Sequence, residues 1–583
     1  MKIIERPFAE ADRRKLLDSG MHPLLAKLYA ARRIRSAEEL DYGAARLHAP
    51  ALMKSIDHAA TLLADAIAAR KRLLIIADYD ADGATACALG IRALRSFGAD
   101  VDYLVPDRFK LGYGLTPELV DLAASSAKSA ARGGRPDLII TVDNGIASVE
   151  GVARAKALGI ATLITDHHLP GAELPQADCI VNPNQPGCGF PSKALAGVGV
   201  MFYVMLALRS ELRKRNAFGE GKEINLGALT DLVALGTVAD VVPLDANNRN
   251  LVAQGLKRLR EGRGKAGLTA LLRAAGRSVA EASSFDLGFI LGPRLNAAGR
   301  LADMSVGIEC LITDDEARAA NIAQELDRLN RERRRIEAGM LEQAMDVVRK
   351  IQIDKNDAKA TFFNPDWHQG VVGILASRLK DRLHRPVVCF AKGTEAGSEG
   401  ERAVLKGSGR SIAGLHLRDC LDLVAKRAPG LILRFGGHAQ AAGLTIGEDG
   451  YERFAAAFES VLDEMLPAEA RLRTIETDGS LDAPHFTLEI ARMLEAQIWG
   501  QGFPQPLFCD TFDVETRRVV GERHLKLLLK KEGRRYEAMC FNALESEASS
   551  RDSQPNRIRA AYRLGVNEFN GMKNVQINVE HFE

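Results

Sequence analysis

The chain has 583 residues and a net charge of only +2, with 46% hydrophobic and 26% charged residues. This length indicates about three or four domains of ordinary globular composition. Because the net charge is so small, binding to a nucleic acid has to come from local basic patches, and a global electrostatic field is excluded. The eight cysteines contain no Cys-x-x-Cys pair, so they indicate a reducing compartment and not a disulfide framework.

No segment of the sequence predicts export or insertion into a membrane. The first residues, Met1-Lys-Ile-Ile-Glu-Arg6, lead into charged residues and not into the apolar stretch of a signal peptide. The longest uncharged apolar run, Ala196 to Leu208, is too short to span a bilayer. The sequence therefore predicts a soluble cytoplasmic protein that is not associated with a membrane.

Residues 1–70 are predicted to form a helical N-terminal extension, in which we find no catalytic pattern. From residue 71 onwards, short apolar runs alternate with helical stretches. The runs are Leu73–Ala77, Val101–Val105, Leu138–Val142, Ala161–Ile164 and Cys179–Val181. Strands that alternate with helices predict an α/β domain whose mostly parallel sheet is covered on both faces. In such sheets function lies just beyond the carboxyl ends of the strands.

The first of these runs ends in three closely spaced carboxylates. Asp78, Asp80 and Asp82 occupy alternate positions, and Gly83 leads into a predicted helix from Ala84 to Phe97. Like charges crowded at a strand end repel one another unless a cation neutralises them. A calcium loop of the EF-hand type is excluded, because it needs a glutamate at position 89, where the chain has a leucine. The stretch therefore predicts a metal site.

Two further strand ends carry side chains that bind metals. Leu138–Val142 is followed by Asp143-Asn-Gly145, and Ala161–Ile164 is followed by Thr165-Asp166-His167-His168. Each segment alone is commonly a turn or a structural filler, but all three strand ends are predicted to meet at one edge of one sheet. Carboxylate and imidazole ligands suit manganese, magnesium or zinc, and two such cations would share bridging carboxylates.

A fourth acidic segment, Asp231-Leu-Val-Ala-Leu-Gly-Thr-Val-Ala-Asp240, follows further along the chain. Asp231 and Asp240 both adjoin apolar runs, so from sequence alone either of them could reach the site. Together the Asp-Tyr-Asp-Ala-Asp-Gly, Asp-Asn-Gly, Asp-His-His and Asp-x-x-Ala-x-Gly-Thr-x-Ala-Asp motifs resemble the DHH phosphoesterases, a family named for its Asp-His-His motif. Four motifs in order make this resemblance specific, and later segments extend it over nearly the whole chain.

This resemblance implies a set of metal ligands and catalytic residues. The implied metal ligands are Asp78, Asp80, Asp82, Asp143, His167, His168 and Asp231. Among them, Asp82, Asp143 and His168 are the implied catalytic residues. Asp78 is either a ligand or a residue that supports the ligands, because other branches of the family carry a histidine two residues before it, where this chain has Ile76.

Within the family, the chain is most similar to the bacterial exonucleases that are specific for single-stranded DNA. The resemblance therefore implies hydrolysis of phosphodiester bonds from the 5′ end with two Mn²⁺ or Mg²⁺ ions, in DNA repair and recombination. It also implies single-stranded DNA as the substrate, a single-strand-binding protein or a helicase as protein partners, and a monomer.

Several arginine and amide side chains are implied to bind the substrate. Arg108 lies in a glycine-containing loop after the strand Val101–Val105, where a plain solvated turn is an equal alternative by sequence alone. Arg294, Asn296 and Arg300 fall within a short segment that resembles the family segment facing the active site. An arginine in that position stabilises phosphate charge.

The sequence beyond the catalytic core predicts a connecting helix and a second α/β domain. Residues 316–350 have one long helical pattern that is typical of a charged connector. The next domain contains a segment at 407–411 that we interpret as a small-residue loop, and a glycine-rich turn at 435–443. Together these segments resemble the DHHA1 domain that accompanies DHH cores, and the resemblance implies substrate binding by Ser408, Arg410 and His438.

From about residue 471 the chain is rich in short β-runs, which predict a small barrel of the OB type. Residues 515–535 hold eight Lys or Arg against three Glu. Basic strands with occasional aromatic residues suit a single-stranded nucleic acid, and an ordinary basic hairpin is the alternative.

The predicted domains are an N-terminal helical extension (1–70), the DHH core (71–315), a connecting helix (316–350), the DHHA1 domain (351–468) and an OB-like nucleic-acid-binding domain (469–583). Two other functions stay open from the sequence alone. One is a DHH phosphodiesterase for short RNA oligomers or cyclic dinucleotides, which would need neither the barrel nor the N-terminal extension. The other is a catalytically inactive DHH scaffold, against which the intact set of acidic and imidazole side chains argues.

Overall fold

A computed structural model shows that the chain divides into two compact units. The first unit contains Met1–Ile4 and Arg328–Ile475, and the second contains Glu5–Asp327 and Glu476–Glu583. The structure describes residues 2–107, 111–125, 134–218, 223–351, 360–397, 400–521, 524–543, 556–569 and 571–583. The second unit therefore holds both the predicted catalytic core and the predicted barrel, which are far apart in the sequence.

The centre of the second unit is a five-stranded, fully parallel sheet. In sheet order its strands are Asp100–Leu104, Arg72–Ala77, Leu138–Val142, Ala161–Thr165 and Cys179–Val181. Nearly every residue of the three central strands is buried. Because consecutive residues of a strand point to opposite faces, this burial means that both faces of the sheet are covered. The predicted α/β fold is confirmed, and each strand lies within one residue of its predicted bounds.

The described α-helices of this unit lie before, between and after the strands of the sheet in the chain. They are Glu10–Asp18, Pro23–Ala30, Ile56–Ala68, Ala81–Ser96, Pro117–Ser125, Val149–Ala157, Gly197–Lys214, Thr230–Ala239, Ala246–Arg260, Ala266–Ala274, Gly292–Leu301, Ser305–Ile312 and Leu488–Glu495. A π-helical turn, Asp286–Leu291, leads directly into Gly292–Leu301. The buried helix Ala81–Ser96 packs against both Gly197–Lys214 and Thr230–Ala239. The segment after the three aspartates therefore lies at the centre of the core.

The first unit contains an α/β domain built on a mixed sheet. In sheet order its strands are Ile432–Gly437, Ala441–Gly447, Gly400–Arg410, Val387–Gly397 and Thr361–Phe363, and only the last two pair in parallel. Its helices are Val372–Leu383, Leu417–Arg427 and Tyr451–Met465. The predicted connecting helix is observed as Glu316–Ile351, a single helix that passes from one unit into the other.

Residues 407–411, predicted as a loop, lie for the most part within the strand Gly400–Arg410. This strand is hydrogen-bonded to a neighbouring strand on each side. A β-carbon at Gly407 would lie 2.5 Å from the ring of Phe390 and 2.8 Å from the side chain of Leu444. The small residues therefore mark a crowded sheet and not a turn, so the loop prediction is wrong. Of the turn predicted at 435–443, only residues 438–440 lie between the strands Ile432–Gly437 and Ala441–Gly447, and the other residues belong to those strands.

A closed five-stranded barrel forms the C-terminal part of the second unit. In barrel order its strands are Phe508–Val520, His524–Lys531, Arg534–Cys540, Met572–Phe582 and Arg557–Phe569. The predicted OB-type barrel is confirmed. Its first strand, Phe508–Val520, has an irregularity of register between Val514 and Thr516.

The N-terminal extension packs against the barrel within the second unit. Leu24 and Leu28 belong to the same hydrophobic core as the inward-facing barrel residues. Arg32, whose side chain is 1% exposed, donates hydrogen bonds to both carboxylate oxygens of Asp478 at 2.9 and 3.0 Å. It also donates to the carbonyls of Leu28 and Pro504, each at 2.7 Å. The extension therefore anchors the barrel segment to the rest of the unit.

The cysteines take part in packing. All eight are free, and six of them are buried, so they act as small apolar side chains.

In the part of the chain that the structure describes, no helix is long and apolar enough to cross a membrane.

Candidate metal centre

Side chains from the ends of the three central strands and from one helix end form a cluster of five aspartates and two histidines, which we call the candidate metal centre. Its members form three overlapping triads whose ligand atoms lie within 4.8 Å of one another. The triads are Asp78, Asp80 and Asp143; Asp143, His167 and His168; and Asp82, His167 and Asp240. The parallel register explains the cluster, since the three central strands end at the same level.

The loop between the first central strand and its helix is shaped by backbone hydrogen bonds. Asp80 is the N-cap of the helix and accepts hydrogen bonds from the amides of Asp82 at 2.9 Å and Gly83 at 3.0 Å. Asn296, implied above to bind substrate, uses its Oδ1 to accept a hydrogen bond from the amide of Ala81 at 2.8 Å. A carboxylate at a helix N-terminus is stabilised by the helix dipole, so local capping helps to place this loop beside the cluster.

Asp82 is fully buried and lies against the start of a second helix. Its Oδ2 accepts a hydrogen bond from the amide of Gly197 at 2.6 Å, and its Oδ1 accepts one from Val198 at 2.9 Å. Gly236, in the helix Thr230–Ala239, leaves room for the Asp82 carboxylate, because a β-carbon at this position would lie 2.7 Å from Asp82 Oδ1. The positive end of a helix dipole therefore faces a carboxylate whose ionised form burial disfavours.

Asp143 has a left-handed backbone conformation with φ of 64°, which is unusual for a residue other than glycine. Its amide donates to the carbonyl of Thr165 at 3.0 Å, so the neighbouring strand holds this conformation. Its Oδ1 lies 3.0 Å from His167 Nε2. The same nitrogen lies 3.4 Å from Asp240 Oδ2 and 3.9 Å from Asp82 Oδ2. His167 therefore points into the middle of the cluster.

Asp166 orients His168. Its Oδ1 accepts hydrogen bonds from the backbone amides of His167 at 2.7 Å and His168 at 3.1 Å, and lies 2.8 Å from His168 Nδ1. Its Oδ2 accepts a hydrogen bond from the amide of Ile146 at 2.9 Å. Burial lowers the pKa of His168, but the hydrogen bond and the charge of Asp166 outweigh burial, so the pKa is raised. Burial raises the pKa of Asp166, but the same pair keeps that pKa below its usual value.

The structure places Asp240 in the candidate metal centre, and the implied ligand Asp231 is not in any of its triads. The two residues lie at opposite ends of the helix Thr230–Ala239, about 13 Å apart at 1.5 Å per residue. Asp231 is buried, and its Oδ2 accepts a hydrogen bond from the amide of Lys265 at 2.7 Å. Burial raises the pKa of Asp231. Its role in the fold is therefore to connect the start of this helix to the chain near Lys265.

The buried carboxylates of the centre repel one another. Burial, together with the charge of Asp80, raises the pKa of Asp82 to about 7. Burial and neighbouring carboxylates also raise the pKa values of Asp143 and Asp240 well above the usual range. A divalent cation would remove this repulsion, and carboxylates with imidazoles are a suitable set of donors for it. The residues present therefore fit a divalent metal.

Binding of Mn²⁺ should raise the melting temperature of the protein more at pH 8 than at pH 6. A carboxyl group whose pKa is raised by folding contributes stability at low pH, and this contribution is lost as the pH rises through the folded pKa. For Asp82 that loss runs from its ordinary pKa of 3.8 up to about 7, so the group is mostly protonated at pH 6 and mostly ionised at pH 8. Because the cation binds the ionised form, each proton that it must displace weakens its apparent affinity by about tenfold per pH unit. Thermal denaturation with and without Mn²⁺ measures the effect, and equal shifts at both pH values would contradict it.

The implied substrate-binding arginines of this unit have different environments. Arg108 lies outside the described residues. Arg294 is buried and donates to Asp327 Oδ1 at 2.8 and 3.1 Å, so its guanidinium forms an ion pair within the core. Arg300 is half-buried at the far end of the same helix. It follows a glycine that packs against the carbonyl of Tyr79, in the loop that carries the aspartates.

In the first unit, Ser408, Arg410 and His438 lie near one another. Arg410 Nη1 donates to Ser408 Oγ at 3.1 Å. Arg410 also pairs across the sheet with Ala441, whose carbonyl accepts a hydrogen bond from the amide of His438 at 2.8 Å. A β-carbon at Gly373, in the first turn of a helix, would lie 2.9 Å from Ser408 Oγ and 3.1 Å from Arg410 Nη2. Both side chains therefore face a helix N-terminus, where backbone amides favour anions.

Sequence reasoning missed Asp166 and Tyr113 as residues of the site. The position of Asp166 directly before two histidines is a signal that could have identified it. The Tyr113 hydroxyl donates to the carbonyl of Asp143 at 3.2 Å and lies 3.1 Å from His168 Nδ1. Its loop is marked by glycines, but no local pattern marks the tyrosine itself.

Three known domains match the chain. The DHH family N-terminal domain matches residues 72–237, the DHHA1 domain 356–464 and the RecJ OB domain 477–581. The chain is 48% identical over 588 residues to the single-stranded-DNA-specific exonuclease RecJ of Dickeya dadantii (strain 3937), covering 100% of this chain and 98% of that relative. It is 46% identical over 580 residues to the exonuclease of the same name from Escherichia coli (strain K12), covering 98% of each chain.

Solved structures give the same result for the fold. RecJ from Thermus thermophilus in complex with Mn²⁺ matches with a TM-score of 0.78 and 29% identity, over 100% of this chain and 79% of that chain. The complex of the same protein with Mg²⁺ has a TM-score of 0.73 and 28% identity, over 100% and 78%. The parallel-sheet core and its cluster of acids and histidines define a metal-dependent phosphoesterase of the DHH class. The chain belongs to the RecJ family of single-stranded-DNA-specific exonucleases.

Proposed function

We propose that this protein is an exonuclease that hydrolyses single-stranded DNA from the 5′ end, with two Mn²⁺ or Mg²⁺ ions. Family membership supports the substrate and the metal-dependent hydrolysis. The observation that carries the proposal is the cluster of five aspartates and two histidines at the ends of the central strands. Buried carboxylates that repel one another destabilise a fold that binds no metal. The same carboxylates provide the negative oxygen ligands that a pair of divalent cations requires.

The residues that would hold the cations are Asp78, Asp80, Asp82, Asp143, His167, His168 and Asp240. When bound, the cations stabilise phosphate charge and make water a nucleophile at neutral pH. Asp166 keeps the imidazole of His168 in one orientation. Tyr113 contacts the same imidazole and the Asp143 backbone. Asp82, Asp143 and His168 are the residues to which we assign the catalytic role.

The barrel is proposed to hold the single strand. Of the basic residues at 515–535, Lys526, Lys531 and Arg535 are paired with acids. Arg518 and Arg534 are exposed on the strands. Exposed cations on a small barrel interact with phosphates without regard to base sequence. The binding that they contribute should be weakened by salt.

We propose that the chain has five parts: an N-terminal extension (1–70), the DHH core (71–315), a connecting helix (316–350), the DHHA1 domain (351–468) and the OB-like domain (469–583). We propose action in DNA repair and recombination in the cytoplasm, as a monomer, with a single-strand-binding protein or a helicase as partner. The free cysteines support a reducing compartment.

The 5′-terminal phosphate is proposed to bind in the first unit, at Ser408 and Arg410. A terminal phosphate carries more charge than an internal diester, and an exonuclease must recognise an end. Arg410 supplies a charged fork, Ser408 a hydroxyl, and the helix turn at Gly373 backbone amides. His438, in the adjoining hairpin turn, completes the proposed set.

Arg410→Ala should lower activity on 5′-phosphorylated strands by about ten- to a hundredfold, because charge-assisted contacts contribute about 1.5–3 kcal/mol. Activity on 5′-hydroxyl strands should change much less. Initial rates on matched oligonucleotides that differ only at this end measure the difference. Arg402→Ala, an exposed arginine on the same strand, is the control and should leave both rates unchanged. An equal loss on both substrates would assign Arg410 a general role instead of recognition of the terminal phosphate.

Digestion of end-labelled DNA tests the proposed function as a whole. With Mn²⁺, single-stranded DNA should be shortened from its 5′ end, and blunt duplex DNA should remain intact. Chelation of the metal should stop the reaction. Absence of hydrolysis under metal-replete conditions would support an inactive scaffold, and preference for RNA oligomers or cyclic dinucleotides would support the other phosphodiesterase function.

A further inference from the structure

Two phenylalanines, Phe285 and Phe289, are exposed side by side on the second unit. Their side chains are 50% and 64% exposed, whereas Leu287 and Leu291 of the same turn are fully buried. The two rings are stacked, with centroids 4.9 Å apart and planes inclined by 21°. Exposed, stacked aromatic rings offer large flat apolar faces to a ligand, and such surfaces commonly mark a binding site.

The turn that carries the two rings is anchored from its buried side. Asp286, which is 1% exposed, accepts hydrogen bonds from the Ser283 amide at 2.9 Å, the Ser283 hydroxyl at 2.7 Å and Arg277 Nε at 2.7 Å. The backbone here is π-helical, a conformation that recurs at functional sites. The anchoring holds the aromatic pair in place before any ligand binds, which reduces the entropy lost on binding.

The same turn packs against the helix end that leads to Asp240. A β-carbon at Gly288 would lie 3.1 Å from Val238 Cγ1, and one at Gly292 would lie 3.0 Å from Ala239 Cβ. Val238 and Ala239 directly precede Asp240, a member of the candidate metal centre. The turn that carries the aromatic pair therefore contacts the two residues directly before Asp240, within the same unit.

From this placement we propose that Phe285 and Phe289 form a stacking platform for nucleobases of the single-stranded substrate near the cleaved bond. The inference rests on the proposed function, because the occupant is the strand whose phosphate reaches the metal centre. Nucleobases are flat π-systems, and aromatic side chains beside a backbone-binding site hold single strands without reading their sequence. Bases inside a duplex have no free face, so the platform also favours single strands over duplex ends.

The test uses the full chain and a matched set of oligonucleotides. One strand carries normal bases, and the others carry an abasic nucleotide at each of the first few positions from the 5′ end. On the normal strand, the double variant Phe285→Ala with Phe289→Ala should lose about five- to a hundredfold in kcat/KM, as expected for lost base stacking. At the abasic position that faces the platform, wild type and variant should have equal rates, because the stacking partner is absent from both reactions.

Two substitutions separate stacking from other effects. Phe289→Tyr retains a ring and should keep near-wild-type rates, whereas Phe289→Leu retains apolar volume and should not. Leu52→Ala, which removes an exposed apolar side chain of the N-terminal segment that is 48% exposed, is the control and should leave all rates unchanged.

A binding measurement keeps this inference distinct from the proposed function. Strands with 2-aminopurine near the 5′ end are mixed with the protein in a buffer that contains Ca²⁺. Stacking on the platform should quench the 2-aminopurine fluorescence with the wild type but not with the double variant. Failure of the wild type to hydrolyse DNA would contradict the proposed function. The fluorescence result would still show whether bases stack on Phe285 and Phe289. Equal losses on normal and abasic strands would overturn the inference. Unchanged rates and fluorescence in the double variant would also overturn it and would indicate a protein or a second copy of the chain as the occupant.

Discussion

Asp240→Asn should lower metal-dependent hydrolysis of single-stranded DNA by more than about a hundredfold, since residues that only orient metal ligands already account for about ten- to a hundredfold. Asp240 Oδ2 lies 3.4 Å from His167 Nε2, in a triad completed by Asp82. The amide replaces a negative oxygen donor by a neutral one of the same size, so the packing should survive. Initial rates with Mn²⁺ and the shift of melting temperature on adding Mn²⁺ measure the loss.

Asp231→Asn is the matched control, because it makes the same change at the other end of the same helix. Asp231 is buried and accepts hydrogen bonds from the amides of Lys265 and Leu232. We expect this variant to melt at a lower temperature but to retain both the Mn²⁺-induced shift and the hydrolysis rate of the folded protein. The reverse pattern, in which Asp231→Asn loses the metal response and Asp240→Asn keeps it, would restore Asp231 as the ligand.

Arg32→Ala should lower the free energy of unfolding of the second unit by about 3–5 kcal/mol, because the buried carboxylate of Asp478 loses its buried, doubly hydrogen-bonded partner and keeps only the more exposed Arg6. Arg32 and Asp478 each have side chains that are 1% exposed, and two hydrogen bonds join them. Trp499 lies 4.9 Å from the Arg32 guanidinium carbon. Chemical denaturation followed by tryptophan fluorescence should therefore report the loss directly.

Two further variants define the origin of this effect. Arg6 also donates to Asp478, at 3.1 Å, but its side chain is 15% exposed. Arg6→Ala should therefore have a smaller effect than Arg32→Ala. Combining Arg32→Met with Asp478→Leu should recover much of the stability, since no unpaired charge then remains buried. If Arg32→Ala were no more harmful than Arg6→Ala, the anchoring role of the pair would be wrong.

The strands of the core sheet and of the barrel could be predicted from sequence because their burial repeats along the chain. Strands buried on both faces are continuous apolar runs, and Leu138–Val142 was predicted with the bounds that are observed. The barrel strands alternate inward and outward residues, as His524–Lys531 does. These patterns depend on local sequence alone, so they require no knowledge of which elements meet.

The segment at 407–411 was mispredicted because small residues have two opposite uses. Glycine permits tight turns, but it also lets large neighbours cross a sheet closely. At Gly407 the rings and methyl groups that require a small residue come from Phe390 and Leu444, which are distant in sequence. Local sequence does not distinguish these two uses, and pairing with both neighbouring strands does.

The sequence by itself determined the chemistry of this protein: carboxylates and imidazoles that follow buried strands, in the order of the DHH motifs. Only the tertiary structure decided which acid of the fourth motif joins them. Asp231 and Asp240 both adjoin apolar residues, and their separation of nine residues spans the length of one helix. The direction in which that helix packs turns Asp240 towards His167 and Asp231 towards Lys265. That direction is set by contacts with the rest of the core, which no local pattern contains.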